Sequence, residues 1–121
     1  MRQAEADLDT AHLNQDHGKF YAAAFFAQQA AEKALKAAHL HGRREPVFTH
    51  NLRRIAEALG APEAVIEDAA ELTPEYTASR YPDAANGVPA ELYTQRHGAR
   101  CLEMAGQVVA WTKIWLQSET S

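Results

Sequence analysis

The sequence holds one cysteine, Cys101, so the chain can form no internal disulfide and no cysteine-based zinc finger. No apolar run approaches the roughly eighteen residues of a membrane-spanning helix. The opening stretch, Met1-Arg2-Gln3-Ala4-Glu5, is too polar for a secretory leader, and a cytoplasmic location is the expectation. β-Branched apolar residues are scarce, with five valines and three isoleucines against 25 alanines. That balance disfavours strands and favours helices. No pattern such as His-Glu-x-x-His occurs, and His12, Asp16 and His17 surround a glycine break that makes poor ligand geometry. No metal ion or cofactor is therefore expected. General disorder is excluded as well, since 46% of the residues are hydrophobic and only 23% charged.

What is present is helical periodicity. From Arg2 to about Gln15, Ala4, Leu8 and Ala11 recur at helical spacing among Glu5, Asp7 and Asp9, acids that suit the positive end of a helix. Gly18 marks the break that follows. From Lys19 to about His41 a rotation of about 100° per residue gathers Phe26, Ala27, Ala30, Ala31, Ala34, Leu35, Ala37 and Ala38 on one face. Gln28, Gln29, Glu32, Lys33, Lys36 and His39 share the other. Nine of the 25 alanines fall in this segment, so neighbours can approach it closely, and it is predicted to be the central helix.

Gly42 is predicted to end that helix, and Pro46 keeps Glu45 out of helical conformation. Thr49 or Asn51 is expected to cap a short third helix reaching Leu59, and Pro62 to open a fourth running to about Leu72. Thr73 to Pro89 has two tyrosines, three prolines and an Asn-Gly pair, and reads as irregular with one helical turn near Glu75 to Ser79. The final helix is predicted from about Ala90 to Gln117, with Cys101, Met104, Val108, Trp111 and Trp115 as a core or dimer seam. These segments predict a compact antiparallel helical bundle with short connections.

A net charge of -4 conceals two blocks. Lys33 to Arg54 holds six cations (Lys33, Lys36, Arg43, Arg44, Arg53, Arg54) against Glu45, a local balance of +5, and three histidines besides. Ile55 to Ser79 holds six acids and neither lysine nor arginine. The first block suits phosphate recognition; the alternative is a surface whose cations pair with nearby acids.

The second helix narrows the choice. Ala22-Ala23-Ala24-Phe25-Phe26-Ala27-Gln28-Gln29-Ala30-Ala31-Glu32-Lys33-Ala34-Leu35-Lys36 resembles the signature of HEPN (higher eukaryotes and prokaryotes nucleotide-binding) domains. Thr49-His50-Asn51-Leu52 follows at the family's spacing, and Tyr76 with Arg80-Tyr81-Pro82-Asp83 looks like its later motif. The three blocks cover almost the whole chain, which reads as one domain over residues 1–121. The resemblance implies an all-α bundle of four to five helices, commonly homodimeric. It also implies a small stand-alone protein, often paired with a minimal nucleotidyltransferase in modules resembling toxin–antitoxin systems.

Two activities go with the family: nucleotide binding, and metal-independent RNA cleavage in members with an arginine followed four to six residues later by histidine. After Arg80 the corresponding positions are Ala85, Asn86 and Gly87, so the catalytic pattern departs there. Arg43 and Arg44 precede His50 at a formally matching distance but in the connection after the second helix, and Arg96-His97 are adjacent. Binding of a nucleotide or RNA phosphate is accordingly the leading expectation. Its residues are Gln29, Lys33, Lys36, His50, Tyr76, Arg80, Tyr81 and Asp83. In that set lysines and Arg80 meet phosphate, Tyr81 stacks on a base, and His50 donates to phosphate or acts as acid–base. One alternative is a degenerate ribonuclease toxin in which Arg80 and His50, or else Arg96 and His97, supply electrophile and acid–base. The other is a non-catalytic module whose charged blocks dock a nucleotidyltransferase and which binds no small ligand. Residue by residue, the structural alternative is a salt-bridge face for Lys33 and Lys36 and a helix-end cap or packing role for His50.

Overall fold

A computed structural model describes residues 1–78 and 92–120. Within them the chain folds as α1 (Arg2–Asp16), α2 (Phe20–Arg43), α3 (Leu52–Ala58), α4 (Glu63–Leu72), α5 (Glu75–Ala78) and α6 (Gln95–Thr120), with no strand among the described residues. α2 is the hub, packing on α1 and α6 along its length and touching α3, α4 and α5. Its alanines explain this position. Ala23, Ala27, Ala30, Ala31, Ala34 and Ala38 are completely buried, so both long neighbours close onto α2 without bulky side chains intervening.

The α1–α2 connection is a tight turn at His17-Gly18-Lys19, in which Gly18 takes a φ of +77°. The two helices therefore run antiparallel. Two contacts orient α6 against α1: Gln15 donates to the Gln95 carbonyl at 2.9 Å, and Lys113 pairs with Glu5 at 2.7 Å. α1 is thus antiparallel to both α2 and α6, and the short helices α3 to α5 carry the chain back across the bundle. The main core gathers Leu35, Leu52, Ile55, Leu72, Cys101 and Val108, with Trp111 and Trp115 half-buried at its margin.

Several ends differ from expectation for local reasons. α2 continues through Gly42 to Arg43, and Arg44 takes the left-handed conformation instead (φ 60°). Gly42 is needed for space: a Cβ there would sit 2.5 Å from the Trp115 ring of α6. Asn51 caps α3, its side chain accepting from the Arg54 amide, while Thr49 accepts from Asn51. Pro62 is the cap of α4 rather than its first residue. α6 begins at Gln95 because the Thr94 hydroxyl accepts from the His97 amide at 3.1 Å, satisfying an otherwise orphaned donor.

Asp68 on α4 is buried, and its Oδ2 has no hydrogen-bond partner among the described residues. Burial pushes its carboxyl above the usual range; Arg100 opposes this, while Glu71, Glu103 and Glu67 add to it. A raised folded value means that the protonated form favours folding. The benefit is complete below the ordinary value of 3.8 and is lost as pH rises through the higher folded value. Asp68→Asn should therefore raise stability at pH 7 by about 1 kcal/mol. Melting curves across pH should show that gain vanishing under acid conditions.

Candidate functional site

The polar stripe of α2 faces protein as much as solvent. Gln28, Glu32 and His39 are buried, at 0%, 6% and 8% exposure; His39 meets the Glu45 carbonyl and Glu32 meets His50, both from the connection after α2. Glu32 is the centre of this region. Its Oε1 accepts from Gln28 Nε2 at 2.9 Å, and its Oε2 accepts from Lys36 Nζ at 3.1 Å. His50 Nδ1 reaches both oxygens, at 3.0 and 2.9 Å. Gln29 extends the network by donating to Gln28 Oε1 at 2.7 Å.

Two further contacts hold His50 over this carboxylate. Its ring stacks on Tyr76 of α5, with centroids 4.0 Å apart and planes 16° from parallel. The turn that carries it is tied to the end of α4, where Thr73 Oγ1 accepts from the Leu52 amide at 3.0 Å and donates to the Ala69 carbonyl. Sequence places His50 and Asn51 in the start of α3; the Thr73 anchor places that start against α5.

The protonation pattern follows from Glu32. Burial pushes its carboxyl up, but hydrogen bonds from His50, Gln28 and Lys36, with the Lys36 charge, outweigh burial and hold it below the usual range. An ionised carboxylate can only accept, so Nδ1 of His50 carries a proton. Nε2 is then the lone-pair nitrogen of a neutral ring, or a donor when the ring is charged. The imidazole is exposed while Glu32 is buried, so the ring links a buried carboxylate to the surface. Such a group, with the Lys36 ammonium beside it, can donate to phosphate oxygens or exchange a proton with a bound substrate.

A second polar cluster joins α5 to α6. Buried Glu75 accepts from the Tyr93 hydroxyl through Oε2 at 2.5 Å and bonds His97 Nε2 through Oε1 at 2.7 Å. Tyr93 and His97 meet edge-to-face, with centroids 5.0 Å apart. Adjacent residues of α5, Glu75 and Tyr76, thus join the α6 cluster to the α2 site.

Of the residues expected from sequence, Gln29, Lys36, His50 and Tyr76 come together around Glu32. Lys33 does not join them: it pairs with buried Asp7 of α1 at 2.5 Å, and Asp7 also accepts from Gln3. Arg80, Tyr81 and Asp83 lie outside the described residues. The +5 block is also less cationic than its window suggests, because Glu32 and Asp7, both outside it in sequence, neutralise Lys36 and Lys33. The pair Glu32–Lys36 follows from its four-residue spacing.

A HEPN-domain profile matches residues 1–115. The chain belongs to the HEPN family. Its fold is accordingly the nucleotide-binding, ribonuclease-like helical fold of that family. Solved structures agree. The crystal structure of TT1696 from Thermus thermophilus is 33% identical, with a TM-score of 0.87 over 94% of this chain and 93% of that one. That of ST0689, an archaeal HEPN homologue, is 34% identical, with a TM-score of 0.80 over 93% and 90%. No curated protein matches the chain.

Within this HEPN bundle, sequence reasoning missed Glu32 as an organiser and overlooked the Glu75–Tyr93–His97 cluster. One signal was available for the first: Gln28, Glu32 and Lys36 recur every four residues, a row that a single buried carboxylate can serve from both sides. In the sequence, His97 stands out only beside its neighbour Arg96. Its partner is Glu75, 22 residues earlier, which no local spacing reveals.

Proposed function

We propose that this HEPN protein binds the phosphate of a nucleotide or RNA where the exposed edge of His50 and the Lys36 ammonium meet. The observation that supports this best is the buried Glu32 beneath an exposed His50. A carboxylate taken out of water to fix one imidazole tautomer is an expensive way to pack a helix end and an effective way to aim a ring nitrogen. Tyr76 stacks behind the ring and limits its rotation. Gln29, linked to the network through Gln28, is assigned to a base or ribose, and Lys33 joins only by releasing Asp7. Arg80, Tyr81 and Asp83, a few residues after Tyr76 in sequence, supply the guanidinium, ring and carboxylate that complete the proposed site.

The same pair supports a second reading, metal-independent RNA cleavage with His50 as acid–base and Arg80 as electrophile, since a carboxylate-oriented imidazole is what proton transfer needs. Around this activity we place the chain in the cytoplasm, as a homodimer paired with a nucleotidyltransferase in a toxin–antitoxin-like module. The family resemblance supports that setting. Light scattering and co-purification with a co-expressed nucleotidyltransferase test it.

Titration of the purified protein with ATP and with a short single-stranded RNA should raise its melting temperature. His50→Ala, an exposed change, should leave the unliganded melting temperature within a few degrees and weaken that ligand by roughly tenfold or more. RNA incubated with EDTA separates the readings: cleavage lost in His50→Ala favours catalysis, and intact RNA with a thermal shift favours binding. If no nucleotide or RNA shifts the melting curve, or His50→Ala binds as wild type does, phosphate recognition at this site is wrong.

A further inference from the structure

We propose that Glu75, His97 and Cys101 form a binding site for a single divalent transition-metal ion of the zinc class, separate from the His50 edge. Their ligand atoms, one carboxylate oxygen, one imidazole nitrogen and one sulfur, all lie within 4.8 Å of one another. A tetrahedral ion with bonds of about 2.0–2.3 Å separates its ligands by about 3.5 Å, so small side-chain rotations close the set.

The helices place these atoms for reasons visible in the chain. His97 and Cys101 stand four residues apart on α6, one turn, which puts both on one face. Two ligands at this spacing on a helix form a preset clamp for a metal ion. Glu75 arrives from α5, and the Tyr93 hydroxyl on its Oε2 holds that carboxylate from behind, as outer-shell partners of metal ligands do. Thiolate, imidazole and carboxylate together suit zinc far better than magnesium or calcium.

Access and charge are also provided for. A cleft bordered by Ala78, Leu92, Tyr93, Thr94 and His97 opens on Glu75, giving an ion a route in and a water a fourth position. Cys101 is completely buried, and burial with the nearby Glu75 pushes its thiol up to about 12. Without metal it is therefore a neutral core side chain. On binding, the sulfur–metal bond forms as the thiol proton leaves to solvent, and the imidazole coordinates as the neutral ring, its one proton on the other nitrogen. One proton is released per ion, and no redox change occurs.

The test is calorimetric titration of the full chain with zinc chloride in two buffers of different ionisation enthalpy, and with cobalt(II) followed by absorption. The expected result is one ion per chain, about one proton released, and a thiolate-to-cobalt charge-transfer band. His97→Gln, on an exposed side chain, removes a direct ligand and should weaken binding by at least the roughly 10- to 100-fold that loss of an outer-shell partner costs. Cys101→Ala, which is small enough for its core position, should abolish the charge-transfer band. Zinc should raise the melting temperature of wild type clearly more than that of His97→Gln. No uptake at up to 100-fold excess of zinc would overturn the proposal. So would binding unchanged in His97→Gln, which takes the ion off His97, or a cobalt spectrum without the thiolate band, which takes it off Cys101.

Discussion

Glu32→Ala is expected to destabilise the protein by about 2 kcal/mol and to abolish phosphate binding together. The substitution leaves three donors facing a hole. Lys36 and His50 can turn toward solvent, but Gln28 is completely buried and its amide loses its carboxylate partner. The cost is therefore mainly an unsatisfied buried amide, while the functional loss comes from the freed imidazole. pH separates the two. Glu32 has a depressed folded pKa, so its contribution is present above the ordinary value of 4.5 and is lost as pH falls through the lower folded value. Urea midpoints of wild type and Glu32→Ala should differ most near neutrality and draw closer in acid, the remaining gap being the pH-independent cost of the Gln28 amide. A constant gap down to the lowest pH at which both fold would assign Glu32 a packing role only.

Leu35→Ala should cost more, about 2–5 kcal/mol, and leave the site chemistry alone. Leu35 is a large, completely buried side chain of α2, and it lies among alanines that cannot expand to fill its space. α2 meets all the other described helices, so the resulting cavity weakens several contacts at once. The converse change, Ala31→Leu, should also destabilise, by about 1–3 kcal/mol, because close helix approach leaves no room for an isobutyl group. Denaturant melts measure both. If Ala31→Leu were neutral, the alanine face would not be the close-packed contact described above.

The helices were legible in the chain to within a few residues, because their causes are local. Alanine spacing, Asn51 and Pro62 act over one turn, and α1, α2, α3, α4 and the turn at Glu75 follow from them. The exceptions fall where a distant partner changes the local rule. Gly42 looks like a helix stop until Trp115, 73 positions away in sequence, takes the space where its side chain would be.

For the candidate site the division is sharper. The motifs along the chain are enough to identify the HEPN fold, the basic stretch and Gln29, Lys36, His50 and Tyr76 as chemically able residues. Which of them meet was decided only by the tertiary structure. Hydrogen-bonded pairs form across gaps of 18, 22 and 26 residues: Glu32 with His50, Glu75 with His97, and Asp7 with Lys33. Helical periodicity constrains a residue's neighbours over one or two turns and then says only which face it occupies. It cannot report that two polar faces are pressed together, and it is that closure which turns Glu32 from a surface acid into a buried one. Desolvation and the choice of partner are properties of the packed bundle, so Glu32 and Lys36 read as a solvated stripe in one dimension and as the seat of an oriented imidazole in three.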